Sequence, residues 1–523
     1  MGSKLTLKNL ENTEFSITHN DGDSATSITS KQLSDTVEEV SGKLSTSSYT
    51  VDTVAAMEAL TPTYGQSCIV TDLDRGGIFV YDSGLVGSDN QGTNFSGWIR
   101  QYSGAVNVKW FGADESLTDN EIYINNAIDL QYSNGGGIVD SPYSLSISSP
   151  IIIKNRVILD LNNGGIITQT ADNVAIVETD NIANVARFKL LNGQFKYTNQ
   201  QTLIAGSGLK LYSTGGYTQN WELNNISVSF AYHSYYVADN YSTFLGRMIN
   251  VTSVNSYNYG YYWGTGTAAH TNIYLENVWA MQIEGNVNSG ARGFYFGNIQ
   301  DLNIQNIAID RSQSVAVAFQ NSYGSVGTIA IEDCTRTSSI GAGLKSSLIT
   351  VAQSDLVINH LETKANTVTM TSGTDYTHLY LTGGSQVILN HLRDNNTAAS
   401  LDTGKYYAFA NDDVNGGTER AYNLSATSAG TSPVMVPCNQ SSSNRKNLTR
   451  IYNGVTSVFE FGDVNTTSTI KSIIYKSSAP SVGDWVVGDI TYNTLPAASG
   501  NIGWVCTVSG APGTWKTFGT IGA

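Results

Sequence analysis

Glu276 and Glu332 stand in two stretches of similar pattern, IYLENVWA and IAIEDCTR, each after an apolar residue and before a polar one. Two carboxylates held on one face of a scaffold can hydrolyse a glycosidic bond, one protonating the leaving oxygen while the other activates water. Glu284 and Asp310, just beyond the corresponding polar positions, are placed to swing into the same groove, and Glu222 lies lower on the same side. The plain alternative is a set of solvated carboxylates on an outward face. Tyr236, Tyr262 and Tyr295 recur in YYV, YYW and FYF. Such rings can offer their faces to the C–H side of a sugar and their hydroxyls as hydrogen-bond partners, or they can pack against a loop or a neighbouring subunit. Arg247, Arg292, Arg311 and Arg336 recur near the same positions, suited to an acidic sugar or to the local carboxylates.

Other chemistries find little support. His233 and His270 are isolated, and His360 and His391 occupy repeat corners, where a structural role is expected. No His/Cys spacing makes a metal site, no P-loop or dinucleotide fingerprint occurs, and no cofactor is expected. Cys68, Cys334, Cys438 and Cys506 are far apart and suggest neither zinc nor a disulfide framework. With 28 basic against 43 acidic residues, a net charge of −15 argues against nucleic acid or an anionic membrane as partner. There is no signal-type h-region and no apolar run near the length of a membrane span, so a soluble chain without a classical export signal or membrane insertion is expected.

The elements that must position these residues come from a repeat. WELNNISV, GRMINVTSV, IYLENVWA, LNIQNIAI, IAIEDCTR, LVINHLET and VILNHLRD alternate apolar residues around a polar corner. The corner falls at Asn225, Asn250, Asn277, Asn306, Asp333, His360 and His391, at intervals of 25, 27, 29, 27, 27 and 31. LDLNNGG and FKLLNGQ extend the series upstream, and a second strand follows each corner. A period near 27 with several short strands per unit predicts a right-handed parallel β-helix, a solenoid whose coils share one core. Helical repeats would show a 3.6-residue period, and a propeller would need longer blades. Alternation then points Leu223, Leu275, Ile304 and Ile331 inward and Asn224, Glu276, Gln305 and Glu332 outward. Glu276 and Glu332 would sit two rungs apart, their carboxyls roughly 9–10 Å from each other, near the inverting range. Tyr235, Tyr261 and Phe294 would point inward, leaving the other three tyrosines stacked outside.

VKWFGADESLTDNEIYINNAID (Val108 to Asp129) differs from its surroundings. It predicts an amphipathic helix with Thr118 as N-cap, Glu121 completing a capping box, and Ile124, Ala127 and Ile128 as an apolar stripe. An open first coil exposes core and unpaired backbone, and a helix laid across it would cover both. The predicted organisation is an N-terminal attachment segment at 1–50, a small α+β head at 51–104 and the capping helix with the β-helix at 105–400. A C-terminal β region at 401–475 and a Trp/Gly-rich trimerisation or binding module at 476–523 follow, with Trp485, Trp504 and Trp515 expected in a core.

TVAAMEALTPTYGQ, GGIFVYD, GWIRQYSGAVNVKWFGAD, TDNEIYINNAID and GGGIVDSPYSLSIS together resemble bacteriophage tailspikes of the pectin-lyase-like β-helix type, as does the segment from APSVGDWVVGD onward. The likeness spans roughly 49–200 and 476–523. Asp114-Glu115-Ser116 replaces the family's usual Gly-Asp-Gly. The resemblance implies a homotrimeric virion fibre, made in the bacterial host cytoplasm and joined to the phage tail or another spike through its N-terminus. It also implies binding, and usually cleavage, of a bacterial surface polysaccharide, whether capsule or O-antigen. The expected activity is endo-acting glycoside hydrolysis. The enzymatic alternative is β-elimination on a uronate-containing polymer, with Tyr295, Arg292 and His233 as candidates; the other is a non-enzymatic receptor-binding fibre.

Overall fold

The computed structural model describes residues 48–395 apart from 181–183, 213–215, 267, 284–291, 313–314, 338–345, 365, 370–375 and 383–384. It also describes 471–523 apart from 483–484, together with the backbone of a few strands in 4–18 and 406–461. The chain divides into two compact units, Met1–Tyr102 and Ser103–Ala523.

In the first unit Lys4–Lys8 pairs antiparallel with Glu14–Thr18, and a five-stranded sheet gathers Ser48–Val51, Ser67–Val70, Gly77–Tyr81, Asn94–Phe95 and Trp98–Arg100. A short helix, Val54–Glu58, is capped by Thr53, whose Oγ1 accepts from Ala56 N at 3.1 Å. Val54, Met57, Cys68, Phe79 and Trp98 form its core.

The second unit is a parallel β-helix. One long sheet runs from Val106–Asn107 through Gly137–Asp140, Val157–Gln169, Lys189–Tyr197, Glu222–Ser229, Ser242–Val254, His270–Ile283, Ile299–Ser312, Tyr323–Glu332, Asp355–Lys364 and Gln386–Asn395. A second sheet takes one short strand per coil, including His233–Val237, Tyr259–Trp263, Arg292–Gly297 and Val317–Gln320. Each strand pairs in parallel with the strand one coil away, so the inward alternating positions form one continuous core, including Leu223, Leu275, Ile304 and Ile331. The parallel rungs continue past residue 400, through Tyr406–Asn411, Arg420–Tyr422 and Ser425–Ser428. A mostly antiparallel sheet, Thr449–Asn453 to Thr514–Thr520, ends the chain, and there Trp485, Trp504 and Trp515 are only half-buried rather than core residues.

Long strands must bend to close a coil, and asparagine serves the bend twice. Asn162, Asn163, Asn192, Asn225, Asn250 and Asn277 all adopt the left-handed conformation, with φ between 53° and 61°, a region Asn tolerates better than most residues. Their amides also bond to one another between coils: Asn225 Nδ2 donates to Asn163 Oδ1 at 2.8 Å, Asn277 Nδ2 to Asn250 Oδ1 at 3.0 Å and Asn306 Nδ2 to Asn277 Oδ1 at 2.6 Å. The ladder is mainly side chain to side chain.

The capping helix spans Glu121–Ser133, and Val108–Phe111 forms a separate 3-10 turn, so the helix is shorter than its pattern suggests. Its N-cap is Asn120, not Thr118, and the predicted capping box does not form. Asn120 Oδ1 instead accepts from Asp114 N at 2.8 Å, while Asp119 Oδ1 accepts from Glu121 N at 3.2 Å, so the acidic turn captures the available partners. The apolar stripe is as expected, with Ile124, Ala127 and Ile128 fully buried against the first coil. Asn125 Oδ1 accepts from Ile152 N at 2.9 Å and Gln131 Nε2 donates to Ile138 O at 2.9 Å, so the helix also satisfies backbone in the coil beneath it.

If this helix seals the coil stack, Ile128→Ala should lower stability by about 3 kcal/mol in chemical denaturation. The same truncation at Ile122, which is 58% exposed on the same helix, should cost less than about 0.5 kcal/mol. Equal losses at the two positions would contradict the sealing role.

Candidate functional site

The coils present three outward faces: the long sheet before its Asn corner, the same sheet after the corner, and the short-strand sheet. The candidate residues distribute over all three.

Before the corner, Lys189, Glu222, Arg247 and Tyr274 are in register on successive rungs. Lys189 Nζ lies 2.8 Å from Glu222 Oε2, and Arg247 sits over the Tyr274 ring at 5.4 Å. Burial raises the Glu222 pKa, but hydrogen bonds from Lys189 and Asn224 and the charges of Lys189 and Arg247 outweigh it and leave it below the usual carboxylate value. Tyr274 donates to Glu276 Oε2 at 2.8 Å. Glu222, Arg247 and Glu276 thus belong to a ladder whose charges and hydroxyls are matched internally.

After the corner, Thr252, Trp279, Ala308, Ala330 and Glu362 form one column. Two residues farther on, Met281, Asp310, Glu332 and Lys364 form the next. The two alanines leave a hollow between bulkier neighbours, and the resulting cleft of about 440 Å³ is bounded by Trp279, Asp310, Arg311 and Glu332. Trp279 is 51% exposed, an unusual position for so large an apolar ring. Asp310 and Glu332 lie directly opposite each other on adjacent rungs, about 4.8 Å apart at the backbone. Arg311 Nη2 is 3.2 Å from Asp310 Oδ2, and Glu332 pairs with Lys364 on the rung above. Arg311 and Asp333 adopt φ of 57° and 51°, which turns the chain sharply just past both carboxylates and leaves them at the rim of the face.

This register corrects the expected Glu276–Glu332 pairing. The corner opposite Asn306 is Thr328, and Asp333 belongs to the later turn shared with Arg311. Glu276 therefore precedes the Asn corner, whereas Glu332 occupies the column of Met281, five residues beyond Glu276 and on the other side of the bend at Asn277. They do not share the column that the 9–10 Å spacing requires. The physical reason is uneven coil length: Asn306 to Thr328 spans 22 residues and Thr328 to His360 spans 32, so a near-constant 27-residue spacing selects the wrong corner. NIAIDRS (306–312) and TIAIEDC (328–334) carry the correct alignment in plain view. Trp279 was not among the candidates, although it is the one large ring in its outward column. Glu284 and the Arg336 side chain lie outside the described residues.

On the short-strand sheet Tyr236, Tyr262 and Tyr295 stack in register, with ring centroids 5.5 and 5.1 Å apart. Behind them Tyr235, Tyr261 and Phe294 stack inside the core at 4.6 and 4.5 Å. The outer ladder is less open than alternation suggests. Tyr236 is only 9% exposed, and His233 stacks on both Tyr236 and Tyr262 at 5.1 and 5.3 Å. Arg292 lies over Tyr259 and Tyr295, and Tyr262 donates to Asp239 Oδ1 at 3.0 Å. Burial, then Asp239, pushes the Tyr236 hydroxyl up to about 12.

The two isolated histidines are buried within the coils. Thr243 N points at His270 Nδ1 at 3.3 Å, so Nδ1 carries the lone pair and Nε2 donates to Gly264 O at 3.3 Å. Desolvation lowers the pKa of His270 to about 4 and that of His233 to about 3. His360 and His391 stack on adjacent rungs at 4.9 Å.

No protein-family model matches this sequence, and no curated protein matches it. Among solved structures, the enzymatically active domain of tailspike protein 2 from bacteriophage CBA120 is similar over 94% of this chain and 82% of its own, with 13% identity and a TM-score of 0.52. The gp42 tailspike of Acinetobacter phage vb_AbaP_AS12 aligns over 90% of this chain and 94% of its own, at 12% identity and a TM-score of 0.49. At such identity, what the likeness establishes is the shared β-helix fold.

His233 and His270 bind protons more readily in the unfolded chain than in the folded one. Their contribution to stability is complete above about pH 6.5 and is lost as pH falls to about 4 for His270 and about 3 for His233, at about 1.4 kcal/mol per pH unit for each. Unfolding midpoints measured between pH 7 and 4 should fall less steeply for His270→Gln than for the parent chain. An unchanged slope would contradict the buried-neutral assignment.

Proposed function

We propose that this protein is a phage tailspike that binds a bacterial surface polysaccharide and cleaves it internally by glycosidic hydrolysis, with Asp310 and Glu332 as the catalytic carboxylates. The observation that carries this reading is the in-register carboxylate pair beside an exposed tryptophan and above two alanines. Trp279 offers an apolar face to a sugar ring, and the alanine hollow admits the chain to the carboxylates. One carboxyl protonates the departing glycosidic oxygen, and the other accepts a proton from the attacking water. Lys364, on the rung above, pairs with the Glu332 carboxylate from the side away from Asp310, and a water held between acid and base would make the reaction inverting. Arg311 and Lys364 offset the negative charge gathered in the cleft.

What favours hydrolysis over β-elimination is the state of the other candidates. His233 is buried without a hydrogen-bond partner at Nδ1. The Tyr295 pKa is raised, mainly by burial, which disfavours the phenolate that a base would need. The tailspike assignment, with a homotrimer, placement in the virion and attachment to the tail or another spike through the first 50 residues, rests on the motif resemblance together with the shared fold. Among the described residues no helix is long and apolar enough to cross a membrane.

Incubation with capsule and O-antigen preparations from candidate hosts should yield saturated oligosaccharides with new reducing ends by mass spectrometry. Asp310→Asn and Glu332→Gln should each lower kcat by on the order of 10²- to 10⁴-fold, with an unchanged unfolding midpoint. Glu276→Gln should leave turnover near the parent value. Unsaturated products would select the lyase reading. Loss of turnover in Glu276→Gln but not in Asp310→Asn would refute the assigned pair.

A further inference from the structure

The column that carries Trp279 and the two alanines does not begin at the cleft. Followed in the opposite direction it continues through Thr252, Ser227 and Gln194, all in register. These polar residues line a second groove, of about 360 Å³, between the Asn corners and the post-corner face. Its rim is the amide ladder of Asn163, Asn192, Asn225 and Asn250, and its floor includes Gly164 and Gly165. No charged residue lines it. The two hollows therefore occupy one face of seven consecutive strands, Val157–Gln169 to Tyr323–Glu332, with six rung spacings or about 29 Å between the outer strands.

We infer that this Asn- and Gly-lined groove is a binding site for an uncharged stretch of polysaccharide, lying along the coil axis and continuous with the segment held at Trp279. The inference rests on the proposed function for the identity of the polymer, but the groove is argued from its own residues. Each carboxamide has two N–H donors and two acceptor lone pairs. The ladder uses only part of this capacity: Asn225 Nδ2 donates to Asn163 and Asn192, and Asn250 Oδ1 accepts from Asn277. The remaining sites are fixed in a row by the left-handed corners, ready for sugar hydroxyls without the cost of ordering flexible side chains. An anionic chain is disfavoured, because Asp140 and Asp160 sit just behind the corner and bond to Asn162 and Asn192 at 3.4 and 3.0 Å. Of the cations on the same strand, Lys196 lies two residues past Gln194, and Lys189, before the corner, is paired with Glu222. A rung spacing close to the length of one sugar ring lets successive units meet successive amides.

Gly164 supplies a direct test. It is exposed, and a Cβ built on it comes no closer than 4.0 Å to any atom outside its own chain neighbours, the nearest being Pro142 O. Gly164→Trp would fill the groove without displacing the scaffold, and Gly164→Ala serves as the conservative control. The full chain and both variants, checked for equal unfolding midpoints, would be applied to an array of printed bacterial surface polysaccharides with neutral and with acidic repeats. The expected result is binding to polymers that contain a neutral stretch, weakened at least tenfold by Gly164→Trp, little changed by Gly164→Ala and largely insensitive to salt. Undiminished binding by Gly164→Trp, absence of binding to every polymer with a neutral stretch, or binding confined to acidic polymers and abolished by salt would each overturn the inference. Cleavage is read separately on the same array. Binding that Gly164→Trp weakens, without cleavage by the parent chain, would support the groove and sink the hydrolase reading. Cleavage that Gly164→Trp leaves unaffected, with equal binding, would do the reverse.

Discussion

Parallel backbone pairing between successive coils is the constraint from which the rest of this molecule follows. Each strand of the long sheet takes its register from the strand one coil earlier, so a residue's neighbours in space are fixed by bonds made 20 to 34 residues away in sequence. Registered pairing turns isolated residues into columns. Apolar columns fuse into one core, and outward columns become faces with chemistry: a charge ladder from Lys189 to Tyr274, a tyrosine ladder from Tyr236 to Tyr295, and a cleft where Asp310 meets Glu332. A one-residue slip would exchange core and surface along a whole strand. The Asn corners and their amide bonds oppose such slips, since a misaligned Asn would lose both its tolerated φ and its partner.

Where the pattern is redundant, the sequence is transparent. The apolar alternation, the Asn series, the tyrosine stack and the stripe of Ile124, Ala127 and Ile128 each repeat a simple rule, and the structure follows them. Where one bond decides among near-equivalent choices, the reading fails. Thr118 and Glu121 satisfy the capping-box spacing, yet Asp119 and Asn120 win because the turn from Asp114 already requires a partner. Thr328 escapes notice as a corner because it is not Asn and because one short coil and one long coil average to the expected period. That single miss moves Glu332 to a different face. Alternation gives direction without accessibility: Tyr236 points outward and is nonetheless nearly covered, because His233 packs onto its ring. The terminal tryptophans show the converse, since their sheet packs them only in part.

The division of labour among the three faces has a physical logic. Before the corner, opposite charges and hydroxyls are already matched, so little interaction energy remains for a ligand. The tyrosine face is buttressed by stacked rings and the neutral, buried imidazole of His233, which stiffens the coil at the cost of accessible chemistry. After the corner, small residues at Ala308 and Ala330 and the glycines near Asn163 leave space, and polar groups at the rim retain hydrogen-bonding capacity. Rigidity elsewhere is what keeps such an open face in place, since catalytic groups must be held within fractions of an ångström.

All of this depends on Ala308 and Ala330 being opposite each other on adjacent rungs. Cysteines introduced at both positions would have Cα atoms about 4.8 Å apart, within disulfide range. Mild oxidation of Ala308→Cys/Ala330→Cys should form an intrachain bond, seen by mass spectrometry as one cross-linked peptide pair with the loss of two hydrogens. If those thiols stay free while a pair chosen to place Glu332 in the column of Glu276 becomes cross-linked, the register is wrong and the carboxylate cleft does not exist.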